Sequence, residues 1–102
     1  EVIEKRLDSA AQADFVIALY NPRSHERENH LDTALEIISK YKPKDTPVGI
    51  VKNASRDKEK VIFTTLESVP IENIDMTSIV IVGNKNTFTI GGKMITPRGY
   101  KL

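Results

Sequence analysis

Apolar residues recur along this chain in two rhythms. Over residues 2–12, Val2, Ile3, Leu7, Ala10 and Ala11 share one face while Glu1, Glu4, Lys5 and Asp8 lie elsewhere, which predicts an amphipathic helix. The same spacing returns over residues 29–41 through Leu31, Ala34, Leu35, Ile38 and Tyr41, and Pro43 closes it because proline brings no backbone donor. Between and beyond these stretches the rhythm changes to unbroken apolar runs: "DFVIALY" at 14–20, "TPVGIVK" at 46–52 and "SIVIVG" at 78–83. Such runs predict central strands covered on both faces. "KVIFTTL" at 60–66 is β-branched and Thr-rich, and follows closely enough on 46–52 to pair with it as a hairpin. Within the connector 67–77, "PIENID" suits a short helical turn. The last stretch carries Gly91-Gly92 between two strand-like pieces and suits a loose hairpin.

The order helix, strand, helix, strand, strand, strand, tail predicts an α/β layered domain with a mixed sheet flanked by helices, occupying residues 1–102 as a single unit. The first two runs, joined by a helix, are expected to form a right-handed βαβ unit. The chain opens in helical register without Met, so it is expected to be the C-terminal part of something longer, and "PRGYKL" to lie at or near a genuine terminus.

Composition narrows the function classes. Lys and Arg number 15 against 14 Asp and Glu, so overall charge gives nucleic-acid binding no support. There is no cysteine, which removes disulfides, thiolate metal sites and a Cys nucleophile. No apolar run has the length of a membrane span and no signal peptide is visible, so a cytoplasmic location is the expectation.

All three buried runs stop at an asparagine beside a small residue or a proline: Tyr20-Asn21, Asn53-Ala54 and Gly83-Asn84. Were the three strands parallel, these stops would share the edge at which open α/β sheets bind ligands. Asparagine is equally at home in turns, where it tolerates left-handed backbone and bonds its own loop, so the residues alone leave both readings open. Ala54 and Gly83 are small enough for a flat ring to approach the backbone, or simply for a tight turn. Arg23, Arg27, Lys52 and Arg56 flank the same stops and could meet carboxylates or phosphates. Thr64 and Thr65 could offer hydroxyls, though Thr is a common strand residue. His25 and His30 stand five apart, a spacing that shares no helical face, and no metal site is expected. No Gly-rich phosphate loop and no nucleophile–base pairing appears, and the catalytic residues are unassigned.

Taken in order, "ADFVIALYNPRS", "TPVGIVKNASR", "VIFTTL", "DMTSIVIVGN" and "MITPRGY" resemble the C-terminal domain of the precorrin-3B C(17)-methyltransferases, a branch of the tetrapyrrole methylase family acting in cobalamin synthesis. The resemblance runs from about Val2 to Tyr100, and "YNPRS" and "TPRGY" are its discriminating pieces. It implies a two-domain enzyme that binds S-adenosylmethionine between its halves and methylates ring carbon 17 of precorrin-3B or cobalt-factor III, with contraction of the macrocycle. An N-terminal domain of the same protein would supply the rest of the cleft, and a homodimer is compatible with the family. By motif position the resemblance assigns Tyr20, Asn21, Asn53, Ala54, Thr64, Thr65, Gly83 and Asn84 to the cofactor wall. Arg23 and Arg27 then become candidates for the carboxylate-rich macrocycle, although "SHEREN" departs there from the family's shorter basic stretch. Related methylases with other acceptors, another precorrin, ribosomal RNA ribose or the diphthamide precursor, and a non-catalytic interaction domain are the alternatives.

Overall fold

The computed structural model describes residues 2–20, 30–53, 57–75 and 77–97. Its elements run α1 (Val2–Gln12), β1 (Ile17–Tyr20), α2 (His30–Ser39), β2 (Pro47–Lys52), β3 (Lys60–Thr65), two 3-10 turns (Leu66–Ser68 and Ile71–Asn73), β4 (Ile79–Val82), β5 (Phe88–Ile90) and β6 (Lys93–Ile95). The layered α/β architecture, the β2–β3 hairpin, the turn in "PIENID" and the terminal hairpin agree with the sequence patterns. Gly91 and Gly92 both have positive φ, 56° and 75°, the mirror-image turn that matches the twist of two short strands.

The sheet itself differs from expectation. Its order is β1-β4-β2-β3, and every hydrogen-bonded pair is antiparallel. β1 and β2 do run in the same direction, as a strand–helix–strand unit requires, but β4 is inserted between them. β1 is therefore an edge strand, not a central one. Ala18 and Tyr20 on one of its faces are exposed, while Ile17 on the other is buried.

One face of the sheet carries nearly all the buried apolar surface. Ile17, Val48, Ile50, Val80 and Val82 pack with Ala11 from α1, with Leu31, Leu35 and Ile38 from α2, and with Leu66 and Ile74 from the connector. Ile38, Val48, Ile50, Val80 and Val82 are wholly excluded from solvent. Each such side chain contributes about 1.5–3 kcal/mol on burial. Both helices thus lie against the same face of the sheet rather than flanking it on two sides. Ile3, expected on the buried face of α1, is 48% exposed, because the helix meets the core through Leu7, Ala10 and Ala11 nearer its C-terminus. On the opposite sheet face the β5–β6 hairpin brings the Met94 side chain over Gly49.

A buried cation ties three loops at the start of β1 and β2. The Lys42 side chain is 1% exposed; its Nζ donates to Asp14 Oδ1 and to the Gly83 carbonyl, both at 2.9 Å. Asp14 Oδ2 in turn accepts the Lys85 backbone N–H at 3.1 Å. The α1–β1, α2–β2 and β4–β5 connections are therefore held by one ammonium and one carboxylate. Partial burial pushes the Asp14 carboxyl upward, but the Lys42 ammonium and the Lys85 N–H outweigh it and hold the group below the ordinary carboxylate value.

The two partners are unequal, and this sets an expected order of effects. Asp14→Ala strands a fully buried ammonium and should cost about 3–5 kcal/mol. Lys42→Met leaves a carboxylate that is 31% exposed and still bonded to Lys85, so a smaller loss of about 1–3 kcal/mol is expected. Because the folded-state value of Asp14 is depressed, its contribution is present above the unfolded carboxylate pKa and disappears as pH falls through the folded one. Urea unfolding midpoints of wild type and both variants, at neutral pH and in acid, check the order and the sign.

Candidate functional site

With β4 running against β1 and β2, the three asparagine stops cannot share one rim. Ile79, the first residue of β4, pairs with both Tyr20 and Val51, so the ends of β1 and β2 meet the start of β4. The end of β4 lies at the opposite edge, where the Gly83 N–H donates to the Pro47 carbonyl at 2.9 Å. Thr65 pairs with Pro47 and Thr64 with Val48, which places both threonines at that far edge too. At about 3.3 Å per residue, the four-residue step from Ile79 to Gly83 separates the two edges by roughly 13 Å. Of the expected rim, Tyr20 and Asn53 stand together at one edge, and Thr64, Thr65, Gly83 and Asn84 at the other. Asn21, Arg23, Arg27 and Ala54 lie outside the described residues.

At the far edge the side chains are occupied with their own loops. Asn84 Oδ1 accepts the Asn86 N–H at 2.9 Å and the Thr87 hydroxyl at 3.3 Å. Gly83 is small because of Thr87: a Cβ there would stand 2.6–2.7 Å from the Thr87 side chain. That crowding answers to a neighbouring side chain and leaves no opening for a flat ring. Thr64 donates from Oγ1 to the Ser68 carbonyl at 3.3 Å.

At the near edge Tyr20 is 70% exposed at the end of β1. Asn53 follows β2 with φ 54°, a left-handed conformation that asparagine tolerates better than most residues, and its Nδ2 donates to the Lys58 carbonyl at 3.2 Å. Its amide thus closes the β2–β3 turn, as the turn reading of strand-end asparagines requires.

The residues that sequence reasoning missed lie between these two. Asp75, Thr77 and Ser78 form a polar knot before β4. Asp75 Oδ1 accepts from the Thr77 N–H at 2.9 Å, the Thr77 hydroxyl at 2.7 Å and the Ser78 hydroxyl at 3.1 Å. These bonds, chiefly the Thr77 hydroxyl, hold the Asp75 carboxyl below its ordinary value, with a smaller push from the Lys52 ammonium. "DMTS" carries the signal, an Asp two and three residues ahead of hydroxyls, but a turn of this kind precedes many strands. Among the described residues, no group of three His, Asp or Glu side chains could hold a metal ion, and no helix is long and apolar enough to cross a membrane.

Comparison with known proteins supplies what the geometry does not. The family described as Tetrapyrrole (Corrin/Porphyrin) Methylases matches residues 1–70. A probable cobalt-factor III C(17)-methyltransferase of Salmonella typhimurium is 55% identical over 99% of this chain, which spans 42% of that protein. A cobalt-factor III methyltransferase of Priestia megaterium is 50% identical over 99% of the chain and 19% of its own length. A precorrin-3B C(17)-methyltransferase of a Sinorhizobium species is 39% identical over 85% of the chain and 34% of its own length. The crystal structure of the methyltransferase CobJ superposes with a TM-score of 0.86 at 31% identity, over 94% of this chain and 40% of that one. The chain therefore spans less than half the length of the relatives it matches.

The turn at Asn53 gives a direct check on local geometry. Asn53→Gly should lose no more than about 1 kcal/mol, from the exposed amide bond to the Lys58 carbonyl, since glycine accepts a left-handed backbone. Asn53→Val should lose about 1–2 kcal/mol from the forced conformation. Paired urea titrations distinguish the two; equal midpoints would contradict the left-handed turn.

Proposed function

Because the chain belongs to the tetrapyrrole methylase family, we propose that it forms one wall of a cleft in which S-adenosylmethionine methylates ring carbon 17 of a cobalt-factor III macrocycle, with ring contraction. The observation that carries the reading is the meeting of the β1 and β2 ends across the start of β4, at a polar edge with an exposed aromatic ring, in a chain whose family match covers residues 1–70. Cobalt-factor III is preferred over metal-free precorrin-3B because the relatives at 55% and 50% identity carry the former name and the one at 39% the latter.

The edge suits the donor's nucleoside. A ring that is 70% exposed can lie against a purine face. When bound, S-adenosylmethionine supplies an electrophilic methyl group on a positively charged sulfur. On this reading Tyr20 and Asn53, with Asn21 and Ala54 next to them in sequence, orient the adenosine. Gly83, Asn84, Thr64 and Thr65 stand outside the wall. Arg23 and Arg27 are assigned to the carboxylates of the macrocycle, where charge-assisted bonds would be short and strong.

Methyl transfer needs donor and acceptor carbon in line, and such orientation can account for about 7–11 kcal/mol of barrier. One wall orients one reactant. The second wall is assigned to an N-terminal domain of the kind that the greater length of the relatives allows, so the 102-residue chain by itself is expected to turn over neither macrocycle.

Mass spectrometry of products tests the whole reading. The full-length protein that carries this chain, given S-adenosylmethionine and cobalt-factor III, should yield one added methyl and release S-adenosylhomocysteine, with less product from precorrin-3B. Cofactor binding without methylation of either would move the enzyme to another acceptor, and absence of binding would overturn the cleft. Position within the wall is tested separately by calorimetry. Tyr20→Ala should weaken S-adenosylmethionine binding by about tenfold, within the 1–3 kcal/mol of a base–aromatic stack. Asn84→Ala, at the far edge, should leave the affinity within about twofold of wild type, a change too small to mark a lost direct contact.

A further inference from the structure

The topology draws attention to what lies between the two rim strands. Nothing that spans the ends of β1 and β2 can avoid the residues that lead into β4, since Ile79 is paired to Tyr20 on one side and to Val51 on the other. The height at which β4 enters this gap is decided by the preceding turn. One carboxylate oxygen, Asp75 Oδ1, gathers three donors from Thr77 and Ser78 within 2.7–3.1 Å. The Ser78 N–H returns to the Asp75 carbonyl at 3.2 Å, and the Asp75 N–H faces Ser78 Oγ at 3.5 Å. Ser78 is 1% exposed, so its hydroxyl depends on protein partners. The carboxylate itself is exposed and adds little to the core.

An acceptor that holds three donors yet lies outside the core suits local shape better than global stability. We infer that Asp75 is a positioning residue for the methyl-donor cleft: it fixes the entry of β4 between Tyr20 and Asn53, and through it the spacing of the two rim strands. The inference rests on the cleft reading given above. The role needs an acceptor at the Oδ1 position more than it needs a negative charge. Asparagine, which keeps that oxygen, should therefore substitute where alanine does not.

The test uses the full-length protein and S-adenosylmethionine as the titrated ligand. Asp75→Ala should raise the dissociation constant by about tenfold or more and lower kcat, because displaced positioning groups are felt on the scale of about 10–100-fold. Asp75→Asn should keep both within about threefold of wild type, as the amide oxygen is retained as an acceptor with two lone pairs at the same position. Thr77→Val, which removes one of the three bonds while keeping side-chain volume, should fall between. Thermal unfolding of each variant is followed in parallel. If Asp75→Ala melts lower but binds and turns over like wild type, Asp75 is structural only and the inference is overturned. It is also overturned if Asp75→Asn is as impaired as Asp75→Ala, since charge and not the acceptor would then matter. Wild type that binds no S-adenosylmethionine would remove the cleft reading itself, and this inference with it.

Discussion

The insertion of β4 between β1 and β2 is the constraint on which the rest of the molecule depends. It makes every hydrogen-bonded neighbour antiparallel while letting β1 and β2 keep a common direction. It places Val80 and Val82 beside Val48 and Ile50 on the helix-covered face, so the most buried residues come from the middle of the sheet. It also determines which chain ends can meet. The carboxyl ends of β1 and β2 face the amino end of β4, and the loop after β4 is carried to the opposite edge.

Each edge is fastened by a carboxylate, and the two fastenings differ in kind. At the far edge Asp14 accepts from an ammonium and a backbone N–H and ties loops far apart in sequence. Taking Lys42 out of water is offset by its bonds to Asp14 and the Gly83 carbonyl, so that edge is costly to disturb. At the near edge Asp75 gathers donors from residues two and three positions ahead of it, one of them the buried Ser78 hydroxyl. The long-range tie therefore lies away from the edge assigned to ligand, and the local turn lies close to it.

The secondary structure was legible because its signals are local. Leu31, Ala34, Leu35 and Ile38 mark one helical face, and all four are buried. The site was half legible. Tyr20 and Asn53 were brought together, since both follow strands that do run in the same direction. Gly83 and Asn84 fall at the edge opposite Tyr20 and Asn53, because a strand's apolar run has no direction written into it. "SIVIVG" is as apolar read either way, and its polarity in the sheet depends on which neighbours it pairs with. Asp75 and its hydroxyl partners were overlooked for the same reason: at the wrong end of a strand assumed parallel, they belonged to no rim.

The sequence by itself determined the elements, the α/β class, the absence of cysteine from these 102 residues and, through five ordered blocks, the family. Helical and strand periodicity, proline and glycine punctuation and motif order act over a few residues and survive without knowledge of contacts. Only the tertiary structure decided the strand order, the exposure of β1, the pairing of Lys42 with Asp14 across 28 positions, and the division of the candidate residues between two edges. Those features follow from backbone hydrogen bonds and burial between segments distant in sequence, and nothing local to either segment specifies its partner.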